Sequence, residues 1–478
     1  MIAPDETIEN ITYDELRIGQ SAQMRRTIGR DDINAFALVS GDVNPAHIDD
    51  EYAEGTRFHG VIAHGMLAGA LISSVLGTEF PGPGTIYLDQ SLKFLLPVHV
   101  GDTLTVSVTV RGKDDAGREV RLDCLVQNQN GEPVVTGEAR VKAPSTRIRR
   151  RRAALPTLHL FDPEARIEEW LATLQGHPAV RCAVVHPCDE ASLRGALDSA
   201  VAGLIVPVLV APQARLRALA AGLGLSLDGI EIVDTEHSHA SATVAATMAA
   251  RGEVGMLMKG SLHTDELMGA VLAERGLRTG RRMSHVFRFE VPAYPRPLLV
   301  TDAAINIAPT LEDKADIVRN AVDLARALGV ARPKVALLSA VETVTPRIAS
   351  TLDAAALCKM ADRGQIAHAT LDGPLAFDNA ISAEAARIKG IESPVAGEAD
   401  ILVVPDLEAG NMLAKQLEYL AGASSSGVVL GARVPIALTS RADPAVARKA
   451  SAALAGVMAR AMAQAAAGTT GEAGPAGG

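Results

Sequence analysis

Hydrophobic and polar residues follow two different patterns along this chain. In the first part, four segments alternate apolar and polar residues or are rich in Val and Thr, and turn-forming clusters separate them. Successive strands joined by tight turns predict an antiparallel sheet. The predicted strands cover residues 91–96, 102–110, 119–128 and 133–141.

One helix precedes these strands. Residues 66–76 are apolar on nearly all sides, which is typical of a helix that is buried in a core. An antiparallel sheet around one long helix is the simplest α+β arrangement of these elements.

The second part alternates short apolar strands with helix-length segments, among them residues 240–251 and 311–328. Such alternation predicts an α/β unit of two lobes with a mostly parallel sheet. Ligands of these sheets bind at the carboxyl ends of the strands. The predicted strands are 182–187, 204–211, 230–234, 254–260, 298–304, 334–340, 401–406 and 434–440.

Composition sets the domain boundaries. Residues 144–157 contain a run of five arginines between two prolines, and such a run predicts a solvated linker. We therefore expect a first domain over residues 1–143 and a second over 158–467. The small-residue stretch 468–478 predicts a disordered tail.

The overall composition excludes several classes of protein. The net charge of -10 and the 3% of aromatic residues disfavour a nucleic-acid binder. Four cysteines in 478 residues do not form a disulfide framework, and the most apolar segment is too short to span a bilayer. The acidic amino terminus lacks the pattern of a signal peptide. We expect a cytoplasmic protein that binds neither nucleic acid nor membranes.

The first candidate site combines an acid, an imidazole and a helix start. Pro45 keeps Asn44 out of the helical region, which predicts a shaped loop that brings Asp42 and His47 together. Gly65 lies where the apolar helix begins, and a helix start offers unpaired N–H groups and partial positive charge. This set suits addition of water to an α,β-unsaturated thioester. From the residues alone, a capping Asp and an exposed His remain an equal alternative.

A family resemblance decides between these alternatives. The strings DVNPAH, FHGVIAHGMLAGALISSVLG and PGPGTIYLDQSLKFLLPVHVGDTL resemble the MaoC-like (R)-specific enoyl-CoA hydratases of the hot-dog fold. The resemblance implies hydration of trans-2-enoyl-CoA to (R)-3-hydroxyacyl-CoA. It assigns the catalytic pair to Asp42 and His47, the backbone oxyanion donor to Gly65, and a supporting polar helix residue to Ser73.

The second candidate site lies at the strand ends of the second part. Lys259 ends one strand and is followed by His263 and Thr264, while Asp302 and Asn306 follow another. Lysine and arginine are the natural contacts for an anion. No glycine-rich nucleotide motif follows a strand, which disfavours nicotinamide and P-loop chemistry.

A second resemblance covers this part. GMLMKGSLHTDELM, TDAAINIAPTLEDKADIVRNAVDLA, DGPLAFDNAIS, PDLEAGNMLAKQL and PIALTSRAD resemble the phosphate acetyl/butyryl transferase family, especially its butyryltransferase-like branch. The resemblance implies reversible acyl transfer between CoA and inorganic phosphate, with no cofactor and no metal. It places phosphate on Arg441 and carbonyl or thiolate stabilisation on Ser440; substrate contacts at Lys259, His263, Thr264, Asp302 and Asn306 are inferred from strand-end position.

One departure keeps an alternative open. The acetyltransferase branch has an Asp six residues beyond that Arg, where this chain has Ala447. The chain is thus predicted to be a bifunctional enzyme that acts on acyl-CoA and phosphate. Alternatively, its second domain is a non-catalytic module for acyl-CoA sensing or assembly. A homo-oligomer through both domains is expected, because a single short sheet with one helix leaves an apolar face or edge uncovered.

Overall fold

The computed structural model describes residues 7–153, 162–439 and 443–471. Contacts between residues divide the chain into two units, Met1–Leu160 and Phe161–Gly478. Within the described ranges, no helix is both long enough and apolar enough to cross a membrane.

Within residues 7–153, the first unit contains seven strands and four α-helices. The strands are β1 (Thr7–Glu9), β2 (Ser21–Thr27), β3 (Ile86–Phe94), β4 (Thr103–Asp114), β5 (Glu119–Gln127), β6 (Pro133–Lys142) and β7 (Arg149–Arg151). The helices are α1 (Arg30–Ser40), α2 (Pro45–Ile48), α3 (Asp50–Glu54) and α4 (Gly65–Ser74), with a short 3-10 turn at Tyr13–Glu15 and a π-helical turn at Val75–Glu79.

Five of these strands form an antiparallel sheet in the order β2-β4-β5-β6-β3, and α4 packs against β3 and β4. Strand β4 shows why the sequence folds this way. Its alternate residues, Leu104, Val106, Val108 and Val110, are buried, as the two-residue period of a strand requires. The predicted hot-dog architecture is confirmed.

The arginines at 147 and 149–151 are exposed, as their charge predicted, but residues 144–153 belong to the first unit and are not a linker. Residues 154–157 of the predicted linker lie outside the described residues. Residues 149–151 form β7, which pairs with β1. Arg147 forms ion pairs with Glu9 and Glu15. Arg152 lies 2.6 Å from a carboxylate oxygen of Glu79. Acidic partners from the same unit offset the repulsion within the run, so the segment joins the first unit.

The second unit contains eleven strands and eleven α-helices within the described ranges. The strands are β8 (Val180–Val185), β9 (Ile205–Ala211), β10 (Glu231–Asp234), β11 (Met256–Lys259), β12 (Ser284–Glu290), β13 (Leu298–Thr301), β14 (Lys334–Leu338), β15 (Thr370–Leu375), β16 (Ile401–Val403), β17 (Ser424–Leu430) and β18 (Ile436–Ala437). The helices are α5 (Pro163–Ala172), α6 (Glu190–Val201), α7 (Gln213–Leu223), α8 (Ser238–Ala250), α9 (Thr264–Ala273), α10 (Leu311–Ala327), α11 (Ala349–Asp362), α12 (Phe377–Ile381), α13 (Ala383–Ile388), α14 (Leu407–Tyr419) and α15 (Ala445–Gly471), with a 3-10 turn at Arg275–Leu277.

These strands form one sheet in the order β10-β9-β8-β11-β18-β17-β12-β13-β16-β14-β15. Neighbours are parallel except at three successive pairs, β18–β17, β17–β12 and β12–β13. The predicted mostly parallel sheet is confirmed. The antiparallel strands β12 and β17 separate two parallel groups, which therefore run in opposite directions.

Strand β12 was not predicted because it carries charged residues that are buried. Arg288 donates to Glu290 at 2.7 Å, and both side chains are at most 5% exposed. The guanidinium also lies 4.3 Å from the ring centre of Trp170 on α5. The ion pair and the indole ring allow these charges into a core strand.

The disordered tail was predicted over residues 468–478, but its first four residues belong to a helix. Helix α15 continues to Gly471, and residues 472–478 lie outside the described residues. Three alanines, residues 465–467, directly precede the predicted tail, and alanine favours a helix.

Burial of His285 makes the stability of the second unit pH-dependent. The side chain is 1% exposed, and burial lowers its pKa to about 3. The unfolded chain takes up a proton below about pH 6.5 that the folded chain refuses. Stability is thus complete above about pH 6.5 and falls as the pH drops towards 3.

We predict that His285→Leu removes about 1.4 kcal/mol per pH unit from this acid-side slope of the unfolding free energy. Urea titrations at several pH values between about 6.5 and 5 check it. The single tryptophan, Trp170, lies in the second unit, so its fluorescence reports on that unit. An unchanged slope would contradict the prediction.

Candidate active sites

The loop after α1 brings the first candidate pair together. Gly41 ends α1 with a φ of 75°, a left-handed conformation that favours glycine. The Asn44 side chain then caps α2 by accepting from the N–H of Ala46 at 3.1 Å. Asn44 is extended, as Pro45 predicts, but His47 lies in the short helix α2 and not in a loop.

Asp42, His47 and His64 converge on one point. Each offers an atom with metal-ligand chemistry, and these atoms all lie within 4.8 Å of one another. Nδ1 of His47 lies 2.7 Å from the carbonyl oxygen of Ile62. Because a carbonyl only accepts, we assign the proton to Nδ1, and Nε2 carries the lone pair of a general base.

Gly65 begins helix α4 beside this pair. Its N–H is among the four that a helix start leaves unpaired, at the positive end of the helix dipole. A Cβ at this position would lie 2.9 Å from the ring of Phe94. Glycine therefore lets the ring of Phe94 lie against the start of the helix, where a larger side chain would collide with it.

A cavity of about 250 Å³ opens beside these groups. His47, His64 and Gly65 contribute its polar lining. The remaining wall is mainly apolar, and Arg57 also lines the cavity. Such a mixture suits an acyl chain whose thioester carbonyl must be oriented. The apolar lining residues are Ile28, Phe58, Ile62, Ala63, Leu67, Ala68, Phe94, Leu95, Leu96, Pro97, Val98, Leu104, Val134 and Val135.

Ser73 does not join the pair as the resemblance implied. It is exposed on α4, eight residues beyond Gly65, which is about 12 Å of helix rise. Within the described first unit, its hydroxyl makes no hydrogen bond to Asp42 or His47.

Asp42, His47 and His64 are poorly arranged for one metal ion. The two imidazole rings are stacked, with 3.9 Å between their centres and 32° between their planes. Nδ1 of His47 and Nε2 of His64 face backbone carbonyl oxygens, so only one nitrogen of each ring is left for another partner. The group is better suited to proton transfer.

In the second unit, Lys259 lies at the end of β11 and is 5% exposed. Its Nζ donates to the carbonyl oxygen of Thr439 at 3.4 Å, just before the predicted Ser440 and Arg441. Ser440 and Arg441 themselves lie outside the described residues. His263 is exposed and precedes α9, and Thr264 is the first residue of that helix.

Asp302 and Asn306 form a second, buried group. The Asp302 carboxylate accepts from the backbone N–H groups of residues 304, 305 and 306 and from Nδ2 of Asn306 at 2.6 Å. Burial raises the pKa of Asp302, and these donors partly oppose it. Oδ1 of Asn306 accepts from Nε of Arg282 at 2.7 Å. Asp302 thus orients an amide that holds an arginine.

This arginine faces a cavity of about 420 Å³. Arg278, Arg281, Arg282 and Asn306 line it together with apolar residues. An anion with an apolar portion suits such a lining. The other lining residues are Met268, Val271, Leu272, Leu277, Thr279, Met283, Ile305 and Gly431.

The structure does not bring Lys259 and Asp302 into one contact group. Lys259 ends β11 and Asp302 follows β13, and these strands are four strand spacings apart in the sheet, roughly 19 Å. The two strands also end at opposite edges of the sheet. The antiparallel strands β17 and β12 stand between the two parallel groups and reverse their direction.

Comparisons with known proteins agree with the division of the chain into two units. The family model of the MaoC like domain matches residues 15–129, and that of phosphate acetyl/butaryl transferase matches residues 239–455. A phosphate acetyltransferase of Rhizobium meliloti is 62% identical over 283 residues, which are 59% of this chain and 89% of that protein. The chain belongs to the phosphate acetyl/butyryl transferase family. A MaoC-like hydratase domain precedes its transferase domain.

Further similarities cover each half. A phosphate butyryltransferase of Clostridium acetobutylicum is 41% identical, over 58% of this chain and 93% of that protein. The crystal structure of a branched-chain phosphotransacylase from Enterococcus faecalis is 30% identical, with a TM-score of 0.53, and covers 59% of this chain and 99% of that one. The R-hydratase PhaJ1 from Pseudomonas aeruginosa is 46% identical over 33% of this chain and 100% of that one, with a TM-score of 0.32. The identities do not place the transferase domain nearer to the butyryltransferases.

Sequence reasoning missed two residues of these sites. The sequence assigned no role to His64, although its ring contacts that of His47. Arg282 precedes β12, a strand that was not predicted, so its place beside Asn306 could not be foreseen. The run of arginines at residues 278–282 was the available signal.

Removing the charge of Asp302 should weaken the transferase domain. In Asp302→Asn, one side-chain acceptor becomes a donor that faces the N–H groups of the turn. We predict a loss of about 1–3 kcal/mol in unfolding free energy and slower acyl phosphate formation. Urea titration and an acetyl-CoA assay check this. The exposed Asp198→Asn is the matched control, and equal behaviour of both variants would refute the role.

Proposed function

We propose that the chain is a bifunctional acyl-CoA enzyme. Its first domain hydrates trans-2-enoyl-CoA to (R)-3-hydroxyacyl-CoA, and its second transfers acyl groups reversibly between CoA and inorganic phosphate. The observation that carries the proposal is the convergence of Asp42, His47 and His64 within 4.8 Å, beside an apolar cavity that His47 and the start of α4 line. Membership of the transferase family supports the second activity.

The geometry suggests how water is added. Nε2 of His47, with the nearby Asp42 carboxylate, removes a proton from water as its oxygen bonds to C3 of the enoyl group. The electrons of the C2–C3 double bond move towards the thioester oxygen. The N–H of Gly65 and the positive helix end stabilise that enolate. C2 then takes up a proton, so that one molecule of water has been added.

For the transferase half, the CoA thiol attacks the carbonyl of the acyl phosphate, and phosphate leaves; the reverse reaction exchanges these roles. Holding both substrates together supplies much of the rate. Arg441 is the proposed phosphate contact and Ser440 the proposed stabiliser of the carbonyl or of the thiolate. Lys259 donates a hydrogen bond to the backbone oxygen of Thr439, the residue that precedes Ser440.

A second candidate for this half is an acyl-CoA sensor or assembly module. Ala447, where an acetyltransferase-branch Asp would stand, is 4% exposed on α15. A buried alanine cannot serve as a base. Binding of CoA without phosphorolysis of acyl-CoA would establish this alternative.

Two variants of the full chain test whether the activities are independent. We predict that Asp42→Asn lowers crotonyl-CoA hydration by about 10²–10⁴-fold and leaves acetyl phosphate formation intact. Arg441→Ala should do the reverse, with a loss of about 10²–10³-fold in transfer. Both reactions are proposed to need no cofactor, so the protein is first dialysed against a chelator.

The crossed design supplies its own controls, because each variant must retain one wild-type rate. Loss of both activities in either folded variant would contradict independent sites. Loss of activity on chelation, restored by a metal ion, would contradict the cofactor-free proposal.

We further propose a homo-oligomer. Strand β3 is an edge of the first sheet, and it exposes the apolar side chains of Ile86, Leu88 and Phe94. An unpaired apolar edge is a template for pairing with a second copy. The free cysteines support a cytoplasmic location, where thiols stay reduced.

Charge on this edge should weaken assembly. We predict that the wild-type chain sediments as a dimer or larger, and that Ile86→Lys with Leu88→Lys gives a smaller assembly, because two cations oppose each other across a paired edge. Analytical ultracentrifugation measures both. A monomeric wild type, or an unchanged mass in the variant, would refute pairing through β3.

A further inference from the structure

His64 contacts each part of the candidate hydratase site. It is 3% exposed and directly precedes Gly65, the first residue of α4. Its Nε2 lies 2.9 Å from the backbone oxygen of Asp42, and its ring is stacked on that of His47. A single side chain thus joins the acid, the base and the helix start.

The hydrogen bond of His64 determines which ring nitrogen is the donor. Because the Asp42 carbonyl only accepts, Nε2 carries the proton and donates. Nδ1 is buried and has no hydrogen-bond partner among the described residues. Its contributions are one N–H and one flat face.

The ring stack restricts His47. Phe36 lies on His64 with 5.0 Å between ring centres, and His47 lies 3.9 Å from the same ring. With Nδ1 of His47 fixed by the Ile62 carbonyl, stacking leaves one orientation for Nε2. The Asp42 side chain is exposed, and the bond from His64 joins its backbone to the helix start. Bonds of Ile62 to Ala46 and His47 hold the other end of the loop.

We propose that His64 is a positioning residue of the hydratase site, which holds the backbone of Asp42 and the ring of His47 at the distance that water activation requires. The proposal rests on the proposed hydratase function. His64 acts through the two catalytic side chains, so its loss should lower kcat more than it changes KM. Misplacement of a catalytic group by about 1 Å is enough to cost 10²-fold in rate.

Three substitutions separate the two contributions. His64→Gln retains an N–H donor and loses the aromatic face. His64→Phe retains the face and loses the donor, and His64→Leu loses both. We expect about 10²-fold lower kcat for the Leu variant and smaller losses for Gln and Phe, with KM changed less than kcat in each.

The experiment measures kcat and KM for crotonyl-CoA hydration with the full chain. His59→Asn is the control, because His59 is exposed in the same unit and asparagine tolerates its φ of 52°. Acetyl phosphate formation and circular dichroism of each variant report on folding. If the Leu variant does not fold, the Gln and Phe variants decide.

The outcomes separate two failures. A wild-type chain that hydrates no enoyl-CoA would overturn the proposed function. A wild-type chain that does so, with folded His64 variants at wild-type kcat, would overturn the positioning role alone. A raised KM at unchanged kcat would also overturn it, since that result assigns His64 to substrate binding.

Discussion

The hydratase half depends on a helix whose first residue lines an apolar cavity. A helix start leaves N–H groups without partners, and the exposed position of Gly65 leaves them open to an acceptor. At Gly65 no side chain fills this place, and a Cβ would collide with Phe94. The thioester oxygen of a substrate is such an acceptor. The ring of the preceding residue, His64, donates its Nε2–H to the backbone oxygen of Asp42 and so contacts the loop before α2.

A reversal of strand direction is the corresponding constraint in the transferase half. Because β17 and β12 are antiparallel to their neighbours, the two parallel groups of strands run in opposite directions. Lys259 and the pair Asp302–Asn306 therefore belong to separate groups of contacts. The Asp302–Asn306–Arg282 chain of hydrogen bonds borders its own cavity, which is separate from the contacts of Lys259.

The sequence pattern predicted elements, such as β4 and α4, whose burial follows a local period. It failed for segments whose burial or pairing depends on residues far away in the sequence. The alternating residues of β4 and the apolar helix α4 were visible because burial follows a fixed period. Strand β12 was not, since Arg288 needs Glu290 and Trp170 to be buried. The arginine run was predicted to be a linker because its partners for Arg147, Glu9 and Glu15, are far away in the sequence. Likewise, Asp42, His47 and Gly65 form a sequence motif, whereas the stacking of His64 on His47 exists only in the fold.

The central claim is that the Asp42–His47 pair and the N–H of Gly65 at the start of α4 together add water to an enoyl thioester in a defined orientation. Hydration of crotonyl-CoA in deuterated water, followed by nuclear magnetic resonance of the product, tests it most directly. A single base on one face predicts one deuterium at C2 and one configuration at each of C2 and C3, and the proposed function predicts R at C3. A mixture of configurations at C2 or C3, or deuterium incorporation at the wild-type rate in Asp42→Asn, would contradict the account.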